Sequence, residues 1–535
     1  MKRLIAAATF ILAVLNLSAQ EFPNLPVNTG NEQHSINLNT GAVNINIPIW
    51  QANQDGLSIP IYLSYNSNGI KVKETVGITG LVWKLTVGGS ISVDQRGLYD
   101  LKNSGEPSIG SGFRYSGYLT DNYPLNFQFL MNAAVGQNDE FADTEPDIFY
   151  YNFPGASGKF MFNNTGQIIS LNDKSLIIGY NTTAESPLND EFYITNADGI
   201  KYTFRCTDYL LNDNNEPVSP YFALVKAENL NTGAYINITF KNTQLTYTEN
   251  FTSDGSFRFE CNGQQSTFPS SQNTDLDGKR YLTESIITNN SKIEFNYFDN
   301  SSLIDNIIIS LKQNNIYKAY KKFDLKYLSN IIIKALSITY NENFNAQNTD
   351  IVWVKKNNDY QFAYNNSVFQ AQDRFDFWGY NNNIDNDLDD IDNTFKANTN
   401  HINNLKKITF PKGNSAEYVF ETNKFSSFPK FNYSSGAGLR VKKIIEKDEH
   451  NNVTGITEYG YQEGKLTTPP RLSNTFYFNV ETDEGISGGH LDAMSSSPFI
   501  LGSSYVQYST VTEYQGGRQE EPNNYKGKNG KIKYF

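Results

Sequence analysis

The segment around Ser487 carries the residue types of a nucleophilic hydrolase. Residues 485–489 read Gly-Ile-Ser-Gly-Gly and match the pattern G-x-S-x-G, with His490 and Asp492 close behind. A nucleophile elbow needs a strand before the serine and a helix after it, within an alternating α/β sheet. The chain instead continues through residues 495–498, Ser-Ser-Ser-Pro, which start a helix poorly. We therefore expect no catalytic residue here, because such short patterns arise by chance in Gly/Ser-rich segments.

Residues 385–392 form the densest acidic run, Asp-Asn-Asp-Leu-Asp-Asp-Ile-Asp. The carboxylates of Asp385, Asp387 and Asp389 alternate, and oxygen ligands of this kind suit a hard cation such as Ca²⁺. An EF-hand is excluded because the sixth position lacks glycine and the twelfth lacks glutamate. Two interpretations remain, an irregular Ca²⁺ loop and a solvated acidic loop, and no other cofactor is predicted.

The remaining residues that could do chemistry do not lie at the spacing of any known catalytic or metal-binding motif. None of the four histidines lies in a metal-binding pattern, and Cys206 and Cys261 are the only cysteines. These two cysteines lie in separate predicted strands, so a disulfide and a free pair are both open. A carboxylate pair for glycoside hydrolysis also stays open, because such pairs meet in space and not in sequence.

The elements that must position these residues are predicted to be strands. Apolar side chains alternate with polar ones from Leu57 to Tyr65, which is the two-residue period of a half-buried strand. Two further strands are predicted around Trp83 and Ile91, on either side of the Gly88-Gly89 pair. We expect Trp83 to be buried against the strand at 57–65.

The whole chain is predicted to be all-β, an extended antiparallel meander of curled sheets. Aromatic residues make up 14% of the chain, which suits side chains packed on a pleated surface. Short strands are followed by Asn, Asp, Gly or Ser, and almost no helical pattern follows the N-terminal segment. Residues 380–400 and 485–504 are predicted to be loops, and no fixed-period repeat is found.

The N-terminus has the form of a secretory signal. Lys2 and Arg3 precede an apolar run at 4–17, and a small-residue cleavage site ends at Ala19. We expect a protein that is exported and then secreted, surface-bound or periplasmic, with no transmembrane segment after cleavage. The net charge of −12 argues against nucleic acid as a partner.

A series of short motifs opens the chain. They are Ile-Pro-Ile at 59–61, Leu-Ser-Tyr at 63–65, Gly-Ile-Lys-Val at 69–72, Gly-Leu-Val-Trp-Lys-Leu at 80–85 and Gly-Gly-Ser-Ile at 88–91. In these motifs the chain resembles the N-terminal region of secreted Rhs/YD-repeat proteins of the Bacteroidetes type. Further matches follow in order at 39–49, 145–160, 192–204, 376–380, 405–423 and 438–441. Val82 stands where the family has a second glycine, which predicts a different local turn, and Val93 stands where it usually has arginine.

The resemblance implies part of a large hollow β-shell. No run of YD repeats proper and no autoproteolytic core is present, so the chain looks like the leading module only. Trp83, Gly88, Gly89 and Trp378 are then structural residues. The expected partners are a downstream Rhs-like segment, a separately encoded cargo protein, or cell-surface glycans.

The predicted organisation has five parts. They are a signal peptide at 1–19, an N-terminal β module at 20–105, a central antiparallel region at 106–380, an acidic loop at 381–400 and a C-terminal β region at 401–535. The last residues read as mid-strand, so we expect a truncated product.

Three functions compete. The first is a structural shell or scaffold module without catalysis, the second is a surface adhesin or glycan-binding protein, and the third is a secreted carbohydrate-active enzyme.

Overall fold

The computed structural model describes most of the chain after residue 33. The described residues are 34–71, 74, 76–95, 99–102, 146–163, 165–181, 190–211, 217–261, 264–299, 301–329, 331–345, 350–365, 378–380, 404–426, 435–466, 476–482, 485–493, 505–516 and 531–534. They form strands, turns and bends without any helix. The predicted all-β fold with large antiparallel sheets is therefore confirmed.

A small sheet is built from the first part of the chain. Its four strands, in spatial order, are β1 (His34–Asn37), β2 (Ala42–Gln54), β3 (Leu57–Ser67) and β4 (Trp83–Val87). Strand β3 contains the predicted alternation, and Leu57, Ile59, Ile61, Leu63 and Tyr65 are all buried. The alternating sequence thus puts one face of β3 in the core, as a two-residue period requires.

The chain divides into two compact units whose segments interleave in sequence. Among the described residues, the first unit contains 53–59 and 87–238, and the second contains 34–52, 60–86 and 239–534. The predicted domain boundaries stay predictions, because residues 103–145 and 381–400 lie outside the described residues.

The first unit is a sheet whose strands pair in chain order. They are β5 (Ser90–Asp94), β6 (Ile148–Phe153), β7 (Ala156–Phe162), β8 (Ile168–Ser170), β9 (Ile177–Asn181), β10 (Glu191–Thr195), β11 (Ile200–Leu211) and β12 (Pro217–Asn229). Strand β12 also pairs antiparallel with β5, with Phe222 opposite Ile91. This return closes the run of strands on itself, so its edges are hydrogen-bonded.

Phenylalanine fills the core of the first unit. The Phe149 ring lies 4.9 Å from Phe160, 5.3 Å from Phe162 and 5.4 Å from Phe192, measured between ring centroids. All four side chains have no exposed surface. Aromatic rings that alternate along neighbouring strands are therefore what holds this sheet closed.

The second unit is a longer meander. Its strands are β13 (Tyr235–Cys261, which begins in the first unit), β14 (Gln264–Ile287), β15 (Ser291–Tyr297), β16 (Ile304–Gln313), β17 (Ile316–Leu328), β18 (Ile332–Asn341), β19 (Trp353–Lys355), β20 (Tyr360–Tyr364), β21 (Leu405–Thr409), β22 (Ser415–Lys424), β23 (Ser435–Lys447), β24 (Val453–Leu466), β25 (Phe476–Thr482), β26 (Gly485–Ala493), β27 (Val506–Gln515) and β28 (Lys531–Tyr534). Successive strands from β14 to β18 and from β20 to β24 pair antiparallel. Strand β24 then pairs with β27 along most of its length.

One predicted loop is wrong. Residues 485–493 form strand β26, which pairs antiparallel with β25, although the Gly/Ser-rich sequence predicts a loop. The residues of β26 have low β-propensity, and cross-strand hydrogen bonds to β25 stabilise the strand in spite of it. The sequence of β25 alternates and contains aromatic residues, which favour a strand. The other predicted loop, at 380–400, lies outside the described residues except for Tyr380. No helix in the described part of the chain has the length and apolar character needed to cross a membrane.

The phenylalanine core gives a direct test of the first unit. Phe149→Ala removes a fully buried ring and should lower the free energy of unfolding by about 3–5 kcal/mol. The adjacent Tyr150 is 39% exposed, and Tyr150→Ala should cost much less because little buried surface is lost. Chemical denaturation of both variants measures the difference, and equal losses would contradict the described register.

Candidate functional site

Strand β4 is preceded by a strained turn. The Trp83 backbone N–H donates a hydrogen bond to the Leu81 carbonyl oxygen at 2.7 Å, and Val82 between them has a φ of 56°. A three-residue turn with a positive central φ is rare, and it is most strained for a β-branched residue. Valine here occupies a backbone conformation suited to glycine, so the turn is strained. Whether it differs from the family's turn stays a prediction.

Trp83 is buried immediately after this turn. Its ring lies 5.2 Å from Tyr65 on β3 and 4.6 Å from Phe362 on β20, measured between centroids. Its indole N–H donates to the Tyr364 hydroxyl at 2.8 Å, and that hydroxyl donates to the Ile333 carbonyl oxygen at 2.7 Å. Trp83 therefore connects the small sheet to β18 and β20 through both ring contacts and a satisfied hydrogen-bond chain.

Burial governs the titration of the two tyrosines in this group. It raises the pKa of Tyr65 to about 12, and it raises the pKa of Tyr364 well above its usual value. Both hydroxyls thus stay protonated at ordinary pH and act as hydrogen-bond groups. The group has the chemistry of a core, with no titratable member suited to acid–base work near neutral pH.

The Gly88-Gly89 pair has no room for side chains. Gly88 has a φ of 75°, and a Cβ there would lie 2.6 Å from a Leu224 methyl carbon. A Cβ on Gly89 would overlap the Asn152 carbonyl oxygen and lie 2.8 Å from the Phe153 Cα. The pair therefore lets β5 approach β6 and β12 closely inside the first unit.

Residues from the N-terminal and C-terminal motifs meet in the second unit. We call Gly41, Gly69, Tyr380, Gly438 and Arg440 the motif junction. The side-chain amide of Asn68, next to Gly69, donates to the carbonyl oxygens of Thr40 at 3.0 Å and Leu439 at 3.1 Å. The Leu439 N–H in turn donates to the Asn68 carbonyl oxygen.

Gly438 sets how closely the chains approach at the motif junction. It has a φ of 91°, and a Cβ there would lie 2.6 Å from the Asn68 carbonyl oxygen and 2.8 Å from the Tyr380 ring. The backbones of Tyr380 and Lys71 form an isolated antiparallel β-bridge. The Lys71 ammonium donates a hydrogen bond to the Tyr505 hydroxyl at 2.7 Å. Only glycine fits between these groups without moving backbone.

Arg440 holds the other side of the motif junction. Its guanidinium donates to Glu421 from Nε at 2.8 Å and from Nη2 at 2.7 Å. It also lies 4.7 Å from the Tyr461 ring and 4.9 Å from the Tyr508 ring. The backbone N–H of Val441, the next residue, donates to the Gly41 carbonyl oxygen at 2.8 Å. A planar, charged group packed against two adjacent rings fixes this corner in a way that lysine could not.

The other predicted site residues have different outcomes. Trp378 is 2% exposed, with its ring 5.8 Å from Phe425. Asp385, Asp387 and Asp389 lie outside the described residues, so the Ca²⁺ loop stays a prediction. Among the residues that the structure describes, no group of His, Cys, Asp or Glu could hold a metal ion. Cys206 is a free, buried thiol, and burial raises its pKa.

The G-x-S-x-G segment has the wrong backbone for a nucleophile elbow. Ser487 lies within strand β26, opposite Val480 of β25. An elbow places the serine at the sharp turn between a strand and a helix. The local backbone thus differs from the one that this chemistry requires.

Sequence reasoning missed the partners in these groups. Phe362 and Tyr364 carry no motif that would have predicted their contact with Trp83. Glu421 lies in the matched segment 405–423, but the match does not say that it meets Arg440. The signal available was the resemblance itself, which marked Gly41, Gly69 and residues 438–441 without saying that they meet.

Comparisons with known proteins give a limited result. No family model matches the chain, and no curated protein matches it. Solved structures do match. One is the Tc holotoxin pore of Photorhabdus luminescens with the TccC3-D651A mutation, with 10% identity and a TM-score of 0.34 over 86% of this chain and 21% of that one.

Two further structures match at a similar level. The crystal structure of TcdB2-TccC3-TEV has 10% identity and a TM-score of 0.36 over 86% of this chain. The crystal structure of TcdB2-TccC3 has 8% identity and a TM-score of 0.32 over 84% of this chain. This chain spans 21% of the length of each of these solved chains.

Trp83 provides a test of the core. Trp83→Ala should lower the free energy of unfolding by about 3–5 kcal/mol, because a buried ring and its contacts are lost. Trp353, which is half-buried, is the control, and Trp353→Ala should cost clearly less. Denaturant unfolding of the two variants measures this, and an unchanged midpoint for Trp83→Ala would place Trp83 at the surface.

Val82 provides a test of strain. Val82→Gly should raise the free energy of unfolding by about 0.5–1 kcal/mol. Glycine adopts the left-handed conformation without strain, and this gain should exceed the cost of the greater conformational entropy that glycine gives the unfolded chain. Val87→Gly at the C-terminal end of β4, the strand that follows this turn, should destabilise, since extended backbone disfavours glycine. A loss of stability in Val82→Gly would show that the turn is not strained.

Proposed function

We propose that this chain is an exported structural module of an Rhs/YD-repeat-like protein, that it forms part of a β-shell or cell-surface scaffold, and that it has no catalysis of its own. The observation that carries the proposal is the motif junction. Residues from the first and the last of the matched motifs along this chain come together there through Asn68, Gly438 and Leu439. If these motifs hold distant strands of a β-shell together, the close backbone approach at Gly438 and the ion pair of Arg440 account for the residue types found there.

The sheet pattern supports the same proposal. Long meanders bury one face and pair each strand with its neighbours, so a wall can extend without exposing edges. The first unit returns from β12 to β5 and closes its own run. A structural module needs nothing more than this, while an enzyme would need converging polar groups in a pocket.

The partners proposed for such a module are a downstream Rhs-like segment or a separately encoded cargo protein. Both would pair with, or lie against, strands that the module supplies. The signal-like N-terminus supports export and a final position outside the cytoplasm.

Small-angle scattering on the full chain tests the shell proposal. A compact globule of this length has a radius of gyration of about 24 Å, and a curved wall around an open interior should give a clearly larger value. A value at the compact limit would contradict the proposal.

Variants at two glycines test the role of the motif junction. Gly438→Ala should expand the particle or lower its unfolding midpoint, because a Cβ would meet the Asn68 backbone. Gly155→Ala is the matched control, since Gly155 also has a positive φ, 95°, but has nothing within 4 Å of its added Cβ. Equal effects would show that the close approach at Gly438 does not matter.

The absence of serine catalysis is tested separately. A fluorophosphonate probe should not label the purified chain, because Ser487 lies in a paired strand and not at an elbow. Mass spectrometry after labelling measures this. Stoichiometric labelling that disappears in Ser487→Ala would overturn the non-catalytic proposal and favour a secreted hydrolase.

A further inference from the structure

Asn68 is followed by Gly69, and this dipeptide is chemically unstable in a flexible chain. The backbone nitrogen of the residue after an asparagine can attack the side-chain amide carbon. Glycine permits this attack best, because it has no Cβ to hinder the approach. Asparagine is among the thermolabile residues of proteins. The sequence contains two more Asn-Gly dipeptides, at 262–263 and 529–530.

The reaction at this dipeptide needs only water. The Gly69 nitrogen forms a bond to Asn68 Cγ, the Cγ–Nδ2 bond breaks, and the amide nitrogen leaves as ammonia with the proton of the Gly69 N–H. Water then opens the cyclic imide, and no group is oxidised or reduced. Cleavage of the bond to Cγ leaves aspartate at position 68, whereas cleavage of the bond to the main-chain carbonyl carbon leaves isoaspartate. Both products carry a carboxylate in place of the amide.

In the folded chain both reacting groups are held by hydrogen bonds. The Asn68 amide donates to the carbonyl oxygens of Thr40 at 3.0 Å and Leu439 at 3.1 Å. The Gly69 N–H, whose nitrogen is the nucleophile, donates to the Ser67 hydroxyl oxygen at 3.0 Å. The attack moves both groups and releases the amide nitrogen, so it cannot proceed while these hydrogen bonds are kept. The reaction therefore requires local opening of this part of the chain.

A carboxylate at position 68 does not fit the motif junction. The amide nitrogen is a donor, whereas both oxygens of a carboxylate only accept hydrogen bonds. The carbonyl oxygens of Thr40 and Leu439 would lose their donor and face a negative charge, which is costly for groups away from water. Isoaspartate would also lengthen the main chain next to Gly69, where the Tyr380 ring leaves little room. Either product therefore opposes closure of the junction.

We propose that Asn68 is a site of spontaneous deamidation, that closure of the motif junction blocks the reaction, and that conversion of an open chain prevents closure afterwards. Chains that close keep the amide and the two hydrogen bonds it donates. Chains that stay open lose the amide irreversibly. This inference rests on the hydrogen bonds of Asn68 and Gly69, and it does not depend on the structural role proposed above.

The rate of conversion in the folded and the unfolded chain tests the protection. The full chain is incubated at mildly alkaline pH in buffer and in guanidinium chloride, and peptide mass spectrometry follows each Asn-Gly dipeptide. Conversion at Asn68 should be slower in buffer by about tenfold or more, the factor for an opening free energy of about 1.4 kcal/mol. In guanidinium chloride the dipeptides at 262–263 and 529–530 are internal standards and should convert about as fast as Asn68. Equal rates at Asn68 in both solutions, or no conversion of Asn68 in guanidinium chloride while the standards convert, would overturn the proposal.

A pair of substitutions tests the consequence of conversion. Asn68→Asp supplies the product directly and should lower the equilibrium constant for folding by about tenfold or more, because two carbonyl oxygens lose their donor. Asn66→Asp is the matched control, since it adds the same charge at an exposed residue of β3 and should change the constant by less than about threefold. Denaturant unfolding measures both. Equal effects would overturn the proposal, since charge alone would then account for the loss.

Refolding of the unaltered chain gives the same answer without any variant. The chain is partly converted in guanidinium chloride and then refolded, and size-exclusion chromatography separates compact chains from the rest. Mass spectrometry then measures the converted share of Asn68 in each fraction. The ratio of converted to unconverted Asn68 should be lower in the compact fraction by about tenfold or more, as expected for the loss of those hydrogen bonds. The same ratio in both fractions would overturn the proposal.

Discussion

The close approach of two backbone segments at Gly438 is the constraint on which the second unit depends. The Asn68 carbonyl oxygen and the Tyr380 ring occupy the space that any side chain would need. The hydrogen bonds of Asn68 to Thr40 and Leu439 exist only at this distance. A single missing Cβ therefore permits the β2–β3 hairpin to be fixed to β23, and the Val441 N–H fixes the same hairpin by donating to the Gly41 carbonyl oxygen.

Strain at Val82 is tolerated because the surroundings determine the position of Trp83. Two ring contacts and one partly buried hydrogen bond favour a single orientation of the indole. Their combined contribution, on the order of several kcal/mol, exceeds the cost of about 1–2 kcal/mol for a left-handed residue. Local conflict between residue type and backbone is thus offset by packing, as is common where a position is over-determined.

The sequence predicts local structure well and long-range pairing poorly. Alternation at Leu57–Tyr65 identified β3 and its buried face, because a two-residue period depends only on neighbours in the chain. The partners of Trp83 at Phe362 and Tyr364 could not be predicted, because no local rule states which distant strand lies opposite. Strand β26 was not predicted because its own Gly/Ser-rich residues favour a loop, whereas pairing with β25 makes it a strand.

The contact between Asn68 and Leu439 spans 371 residues of chain. At synthesis rates of about 5–20 residues per second, roughly 20–75 seconds separate the appearance of its two halves. During that time the hairpin that will occupy the motif junction has no partner, and its strands expose backbone groups that can pair with other chains. Non-local pairing of this kind is slow even when the whole chain is present. Connectivity therefore constrains the order of assembly. The strands of the meander can pair locally as they emerge, whereas the motif junction must wait for residues 438–441, and the first hairpin stays unpartnered until then.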